Sequence, residues 1–225
     1  MYYNDLFYCE IAKHVYDDSE EFRHYNIQTI DIDNCRARIY TSDAETIVAY
    51  CGTDDLLDIK QDLSVTLWKE NYGRIHRGFR DYAHKLYGRV AQIAQQSSNI
   101  TLVGHSLGGA AATITAYWLQ MDFPQLSIHL YTYGSPRTGW PSFVKKIDVP
   151  HRRWVNNNDI VPRMPTWLFG YCHNGKPLYI NSKGKLAKPS LWDRILGYRK
   201  SLIDPLRDHL IDEYLHCIQN LTKEE

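Results

Sequence analysis

The sequence predicts an α/β fold, a mostly parallel central sheet flanked by helices, in a single domain over residues 1–225. Short β-prone apolar runs alternate with helix-length amphipathic segments along the chain. Most of these runs stop at glycine, asparagine or proline, and one of them, Ile100–Val103, turns sharply into a serine set between glycines. A chain of 225 residues can bury a substantial core.

Taken in order, Thr46–Cys51 reads as a strand ending at Gly52. Phe79, Tyr82, Leu86, Val90 and Ile93 recur at spacings of three and four, the stripe of an amphipathic helix. Strand Ile100–Val103 follows, and then SLGGAAATITAYWLQ, rich in small residues and compatible with a helix. LSIHLYTYGSP reads as a strand broken by Gly134 and Pro136, and Arg153–Val155 as a short strand closed by asparagines and prolines. Leu206, Leu210, Tyr214, Ile218 and Leu221 form one face of a last helix.

Composition excludes some classes of function. Lysine plus arginine and aspartate plus glutamate both number 26, so the net charge is zero, which disfavours a nucleic-acid partner. No run has the roughly 18 apolar residues of a membrane span. Five scattered cysteines, Cys9, Cys35, Cys51, Cys172 and Cys217, signal neither a zinc site nor a disulfide scaffold. The first residues lack the basic start and apolar stretch of a secretory signal, so a cytoplasmic, reducing location is expected.

Gly104-His105-Ser106-Leu107-Gly108 is a G-x-S-x-G motif with a strand before it and a helix after it. That context describes a nucleophile elbow, a turn whose strain lifts the serine hydroxyl off the sheet and whose glycines avoid the neighbouring backbone. It also aims the Leu107 amide at a developing negative charge. A glycine-rich turn in which Ser106 only caps a helix is the plainer reading. A nucleophilic serine needs a base and an orienting carboxylate, and in α/β-hydrolases these follow in the order acid, histidine. Asp159 lies just after a strand, on the same sheet edge as the elbow, whereas Asp148 precedes that strand. The histidines downstream are His173, in a segment read as a hairpin turn, His209, in the first turns of the last helix, and His216, in mid-helix. His209 is the base expected to reach back across the sheet edge.

These residues resemble the class 3, fungal-type lipases of the α/β-hydrolase fold. VGHSLGGA is similar to the family's elbow, YTYGSPRTG to the strand and turn after the elbow helix, and NNNDIVPRMP to its acid motif with Asp159 at the acid position. FGYCHNG, IHRGF and RDHLIDEYL match further family segments, and the last of these selects His209 over His216. YCGTDD sits where the family carries F-R-G-[ST], with Tyr50-Cys51 in place of Phe-Arg. The resemblance implies that Thr53 is the first oxyanion-hole donor beside the Leu107 amide. It also implies a lid at residues 54–68, where Leu56, Ile59, Leu63 and Leu67 fall on one helical face.

The expected activity is therefore hydrolysis of carboxylic esters of lipids, acylglycerols above all, by Ser106, Asp159 and His209, with no metal or organic cofactor. Phospholipase A1-type or feruloyl-type aryl esterase activity is the nearest alternative, and an inactive α/β-hydrolase serving as a binding module is another. Residues 183–200 set lysines and arginines beside Leu191, Trp192, Ile195 and Leu196. They read as a solvated basic face, with transient contact to a lipid surface as the second reading.

Overall fold

The computed structural model describes residues 2–17, 22, 24–52, 67–188 and 204–223. Its frame is an eight-stranded sheet in the order β1-β2-β3-β6-β7-β8-β9-β10. These strands are β1 (Asn26–Ile32), β2 (Cys35–Thr41), β3 (Thr46–Tyr50), β6 (Asn99–His105), β7 (Ser127–Tyr133), β8 (His151–Asn156), β9 (Pro177–Ile180) and β10 (Leu186–Ala187). Between them, β4 (Leu67–Glu70) and β5 (Gly73–His76) form a separate hairpin. Neighbours from β3 through β9 are parallel, while β1, β2 and β10 are added antiparallel at the edges. The β1–β2 turn places Asp33 and Asn34 at positive φ (48° and 63°), which is the geometry of a tight hairpin and suits these two residue types.

Both faces of the central parallel strands are covered, so β3 and the Ile100–Val103 part of β6 are buried on both sides, and their residues sort by which layer they meet. Val48, Tyr50, Ile100 and Leu102 pack towards α2 (Arg77–Ala94) and α3 (Leu107–Asp122). Ile47, Ala49, Val103 and Trp154 pack towards α1 (Tyr3–His14) and α6 (Ile211–Lys223). In α2, Phe79, Leu86 and Val90 of the predicted stripe are buried together with Ala83 and Ala94, while Tyr82 and Ile93 pack partly buried against the same core. On α3, Gly108 through Ala112 are all buried; small side chains let this helix lie close against the strand that feeds it.

Helix α1 has no equivalent among the elements predicted above. It is tied down by Asp5, whose carboxylate accepts from Trp154 Nε1 at 2.8 Å and Arg152 Nε at 2.5 Å. Its backbone carbonyl accepts from Tyr133 Oη at 2.6 Å.

Four details differ from the sequence reading. Leu67 and Trp68, assigned to the lid, stand in strand β4 instead of a helix, because β5 pairs with that segment residue for residue; residues 53–66 lie outside the described residues. His173 is not in a hairpin turn, since the segment after it enters β9, which runs parallel to β8; the hairpin comes later, between β9 and β10. His209 lies in the turn between α5 (Asp204–Arg207), the helix that follows the short α4 (Pro141–Val144), and α6, not within a helix. Leu210, in the same turn, is 45 % exposed and leaves the apolar face that Tyr214, Ile218 and Leu221 form. In the basic stretch, residues 189–200 lie outside the described residues.

Candidate active site

Strand β6 ends at His105, and the chain then turns through Ser106 at φ 55° and ψ −129° before α3 begins. A side chain on Gly104 would put its Cβ 2.3 Å from the Gly108 carbonyl oxygen, and one on Gly108 would come within 2.1 Å of the Tyr50 oxygen. The elbow therefore closes only with glycine at both places. The Ser106 amide donates to the Tyr133 carbonyl at 3.0 Å, which holds the strained residue in position. Leu107 is the first residue of α3, so its amide has no preceding helical turn to bond.

The structure brings Ser106, His209 and Asp159 together. His209 Nε2 is 2.9 Å from Ser106 Oγ, and His209 Nδ1 is 2.9 Å from Asp159 Oδ2. A carboxylate only accepts, so Nδ1 carries the proton and Nε2 is left as the acceptor for the serine O–H. Ser106 and Asp159 are 0 % exposed and His209 1 %. Shielded from water, a hydroxyl, an imidazole and a carboxylate in this order form an activated nucleophile.

The carboxylate is itself held by two further donors. Tyr214 Oη donates to Oδ2 at 2.6 Å, and the Val161 amide donates to Oδ1 at 2.9 Å. Burial and the neighbouring Asp159 raise the Tyr214 phenol well above its usual range, so it stays a donor. Gly134, at φ 61°, completes the fit: a Cβ there would lie 2.8 Å from Asp159 Oδ2 and 2.9 Å from His209 Nδ1. Sequence marked Gly134 only as the end of a strand.

His209 is fixed from its backbone as well. His105 Nε2 donates to the His209 carbonyl at 2.7 Å, and the two rings stack with centroids 4.6 Å apart. Tyr16 Oη donates to His105 Nδ1 at 3.0 Å and accepts from the Gly52 amide at 2.9 Å. Burial first, and the adjacent His209 second, hold the His105 imidazole well below its usual pKa, so it stays neutral. Asp208 pins the turn from the other side, its carboxylate accepting from Asn157 Nδ2 and the Asn158 amide.

Thr53 lies outside the described residues. Up to Gly52, the strand that leads to it runs close beside the nucleophile, for a Cβ on Gly52 would come within 3.2 Å of Ser106 Cβ. The strand end carrying Tyr50-Cys51 is braced by Tyr82 Oη, which donates to the Cys51 carbonyl at 2.8 Å. The remaining candidates are engaged elsewhere. His173 Nε2 donates to the Pro162 carbonyl, His216 is exposed on α6 next to Asn220, and Asp148 precedes β8 at the opposite sheet edge.

Residues 47–169, more than half of the chain, match the family model described as lipase (class 3). The chain belongs to the class 3 lipase family. A lipase of Rhizomucor miehei is 36 % identical over 119 residues, which are 48 % of this chain and 33 % of that protein. A secreted mono- and diacylglycerol lipase of Fusarium solani is 31 % identical over 169 residues, 63 % of this chain and 50 % of that one. This class 3 chain thus spans a third to a half of the length of these relatives. The solved Rhizomucor miehei lipase–propeptide complex superposes with a TM-score of 0.77 at 25 % identity, covering 90 % of this chain and 78 % of that one.

Within this class 3 site, Tyr214→Phe keeps the ring and removes one hydrogen bond to the carboxylate. It should lower kcat about tenfold with KM unchanged, since charge-assisted bonds of this kind are worth about 1.5–3 kcal/mol. Steady-state kinetics on a soluble ester checks this, and an equal change in kcat and KM would count against a role in positioning Asp159.

Proposed function

We propose that the protein is a serine carboxylic-ester hydrolase acting on acylglycerols through an acyl-enzyme. The hydrogen-bonded line from Ser106 through His209 to Asp159 is the observation that carries this reading. Ser106 Oγ attacks the ester carbonyl while His209 Nε2 takes its proton. The tetrahedral oxyanion is stabilised by the Leu107 amide and by Thr53, each such donor being worth about 3 kcal/mol. His209 then protonates the departing alcohol, leaving the acyl group on Ser106. A water activated by the same imidazole releases the acid and restores the serine. Asp159 keeps the imidazole in the productive tautomer and stabilises its charged form.

Acylglycerol as the substrate class rests on family membership and on the likeness to the mono- and diacylglycerol lipase of Fusarium solani. The five cysteines are free thiols, which supports a reducing, cytoplasmic setting as part of the proposal. Among the described residues no helix is long and apolar enough to cross a membrane.

Full burial of Ser106 leads to a test. Substrate reaches it only after the covering surface moves, and a lipid interface favours such movement. Hydrolysis of glycerol esters of short to long acyl chains, measured below and above each substrate's solubility limit, should show a rise in rate on crossing that limit. Preference for soluble aryl esters with no such rise would favour the feruloyl-type alternative.

A further inference from the structure

Arg153 carries a charge that ester hydrolysis does not use. It stands third in β8, and because side chains alternate along a strand it faces away from Trp154 and the α1–α6 layer. On that far side Arg153 and Val155 join Pro177 and Tyr179 of β9 in lining a cavity of about 420 Å³. Arg153 is 6 % exposed and its Nε has no hydrogen-bond partner. The residue opposite it in the β8–β9 pair is Pro177, which offers no charge.

The rest of the cavity wall adds positive charge. Arg137 and Arg163 also line it, and among the described residues no aspartate or glutamate does. Arg137 donates to the backbone carbonyls of Arg163 and Pro165, and Arg163 Nη2 to Asn158 Oδ1 at 3.4 Å, contacts that aim both side chains at this wall. His173, another lining residue, is kept neutral by burial and by Arg153. Burial pulls the Arg153 guanidinium down to about 10, which leaves it charged at neutral pH. A buried cation with no counter-charge among the described residues is costly to the folded state, and a flat, forked donor in a hollow lined with arginine suits a tetrahedral oxyanion.

The mouth of the cavity has a different chemistry. Thr166 and Trp167 line it, and Trp167, Leu168 and Phe169 form a single turn that is 68 %, 71 % and 53 % exposed. Three large apolar side chains beside a cationic hollow are what a phosphate carried on a lipid would meet.

We propose that this cavity is a phosphate-binding site with Arg153 as its central ligand and the Trp167–Phe169 turn as its apolar rim. The site is separate from Ser106 and His209, neither of which lines it, and it does not depend on the ester-hydrolase reading. It shares a wall with the acid loop, because Asn157 and Ile160 flank Asp159.

The test is thermal unfolding of the whole chain at pH 7 in increasing inorganic phosphate, against sodium chloride of equal ionic strength. Tm should rise and saturate, by about 5–10 °C at a hundredfold excess over the dissociation constant. Arg153→Met should unfold at or above the wild-type temperature without phosphate and should lose the response. Pro177→Glu, which sets a carboxylate opposite Arg153, should also raise Tm and abolish the response, so the test survives if Arg153→Met fails to fold.

Co-sedimentation of the Ser106→Ala protein with phosphatidylcholine vesicles containing phosphatidic acid, against vesicles of equal charge containing oleate, identifies the source. Preference for phosphatidic acid that is lost on adding Arg153→Met assigns the site to a lipid headgroup. A phosphate response without that preference assigns it to a soluble phosphate. A Tm rise no larger than in chloride, or a full response retained in either variant, would overturn the proposal.

Discussion

Replacing Ser106 with alanine is expected to lower kcat for ester hydrolysis on the order of a million-fold while leaving KM and Tm nearly unchanged. The size of the effect follows from the geometry. The 2.9 Å bonds on either side of the His209 ring make serine, imidazole and carboxylate one unit, so removing the nucleophile forfeits what the other two contribute. His209→Ala should cost about as much and add little to the Ser106 variant. Asp159→Asn should cost about ten-thousand-fold, because an amide at that position can donate and favours the wrong tautomer of His209. None of the backbone bonds that hold the elbow involves the Ser106 side chain; its amide still donates to Tyr133 and Gly109 still donates to its carbonyl. Labelling by a fluorophosphonate, present in the wild type and absent in Ser106→Ala, checks the assignment. A wild-type protein that neither hydrolyses esters nor takes the label would identify an inactive binding module.

How much of this site can be read from sequence depends on how local each requirement is. The elbow is written in five consecutive residues, because Gly104 and Gly108 meet each other and Tyr50 at backbone distance. Asp159 is legible because a parallel strand ends just before it. His209 needed the chain order of the motif and the resemblance of RDHLIDEYL, since its environment is assembled from distant parts of the chain. The supports were not legible. Tyr214 reads as one more apolar position on a helix, yet its hydroxyl binds Asp159. Gly134 reads as a strand terminator, and its lack of a side chain matters only because two distant residues converge on it. His105 occupies a variable place in the motif, and its partners Tyr16 and His209 lie far away in sequence.

The fold shows the same division. Buried parallel strands and the α2 stripe declare themselves through apolar runs and periodicity. Strand β1 exposes Asn26, Gln28, Thr29 and Asp31, β2 sets Arg36 and Arg38 among its apolar residues, and α1 buries Asp5 and His14 beside Cys9, Ile11 and Ala12, so none of the three gives a strong periodic signal. The Asp33-Asn34 pair was the available cue for the first hairpin, being a dipeptide that tolerates positive φ at both positions.

Stability should fall steeply as the pH drops below about 6.5, and three histidines are the cause. His105, His151 and His173 are held below their usual pKa chiefly by burial, His151 to about 4 and the other two well below the ordinary value. What faces them reinforces this: His209 meets His105, Arg153 meets His151, and Arg153, Arg137 and His151 surround His173. Each ring gives its one proton to a fixed acceptor, the His209 carbonyl, Asn174 Oδ1 and the Pro162 carbonyl respectively, and these bonds favour the charged form but are outweighed by burial. In the unfolded chain all three take up a proton near pH 6.5, while in the folded chain they do not, so the unfolded state binds more protons below that pH. The stabilisation is therefore present above pH 6.5 and is lost as the pH falls through that value towards the folded-state pKa. With up to three extra protons, the loss approaches about 4 kcal/mol per pH unit, against a total of roughly 5–15 kcal/mol for a protein of ordinary stability. Urea unfolding at pH 7.5, 6.5, 5.5 and 5.0 measures the slope, and His173→Gln, whose amide can still donate to the Pro162 carbonyl, should reduce proton uptake on unfolding by about one. A midpoint unchanged between pH 7.5 and 5.0 would mean that these rings take up protons as readily in the folded protein as in the unfolded chain, against the burial that lowers their pKa.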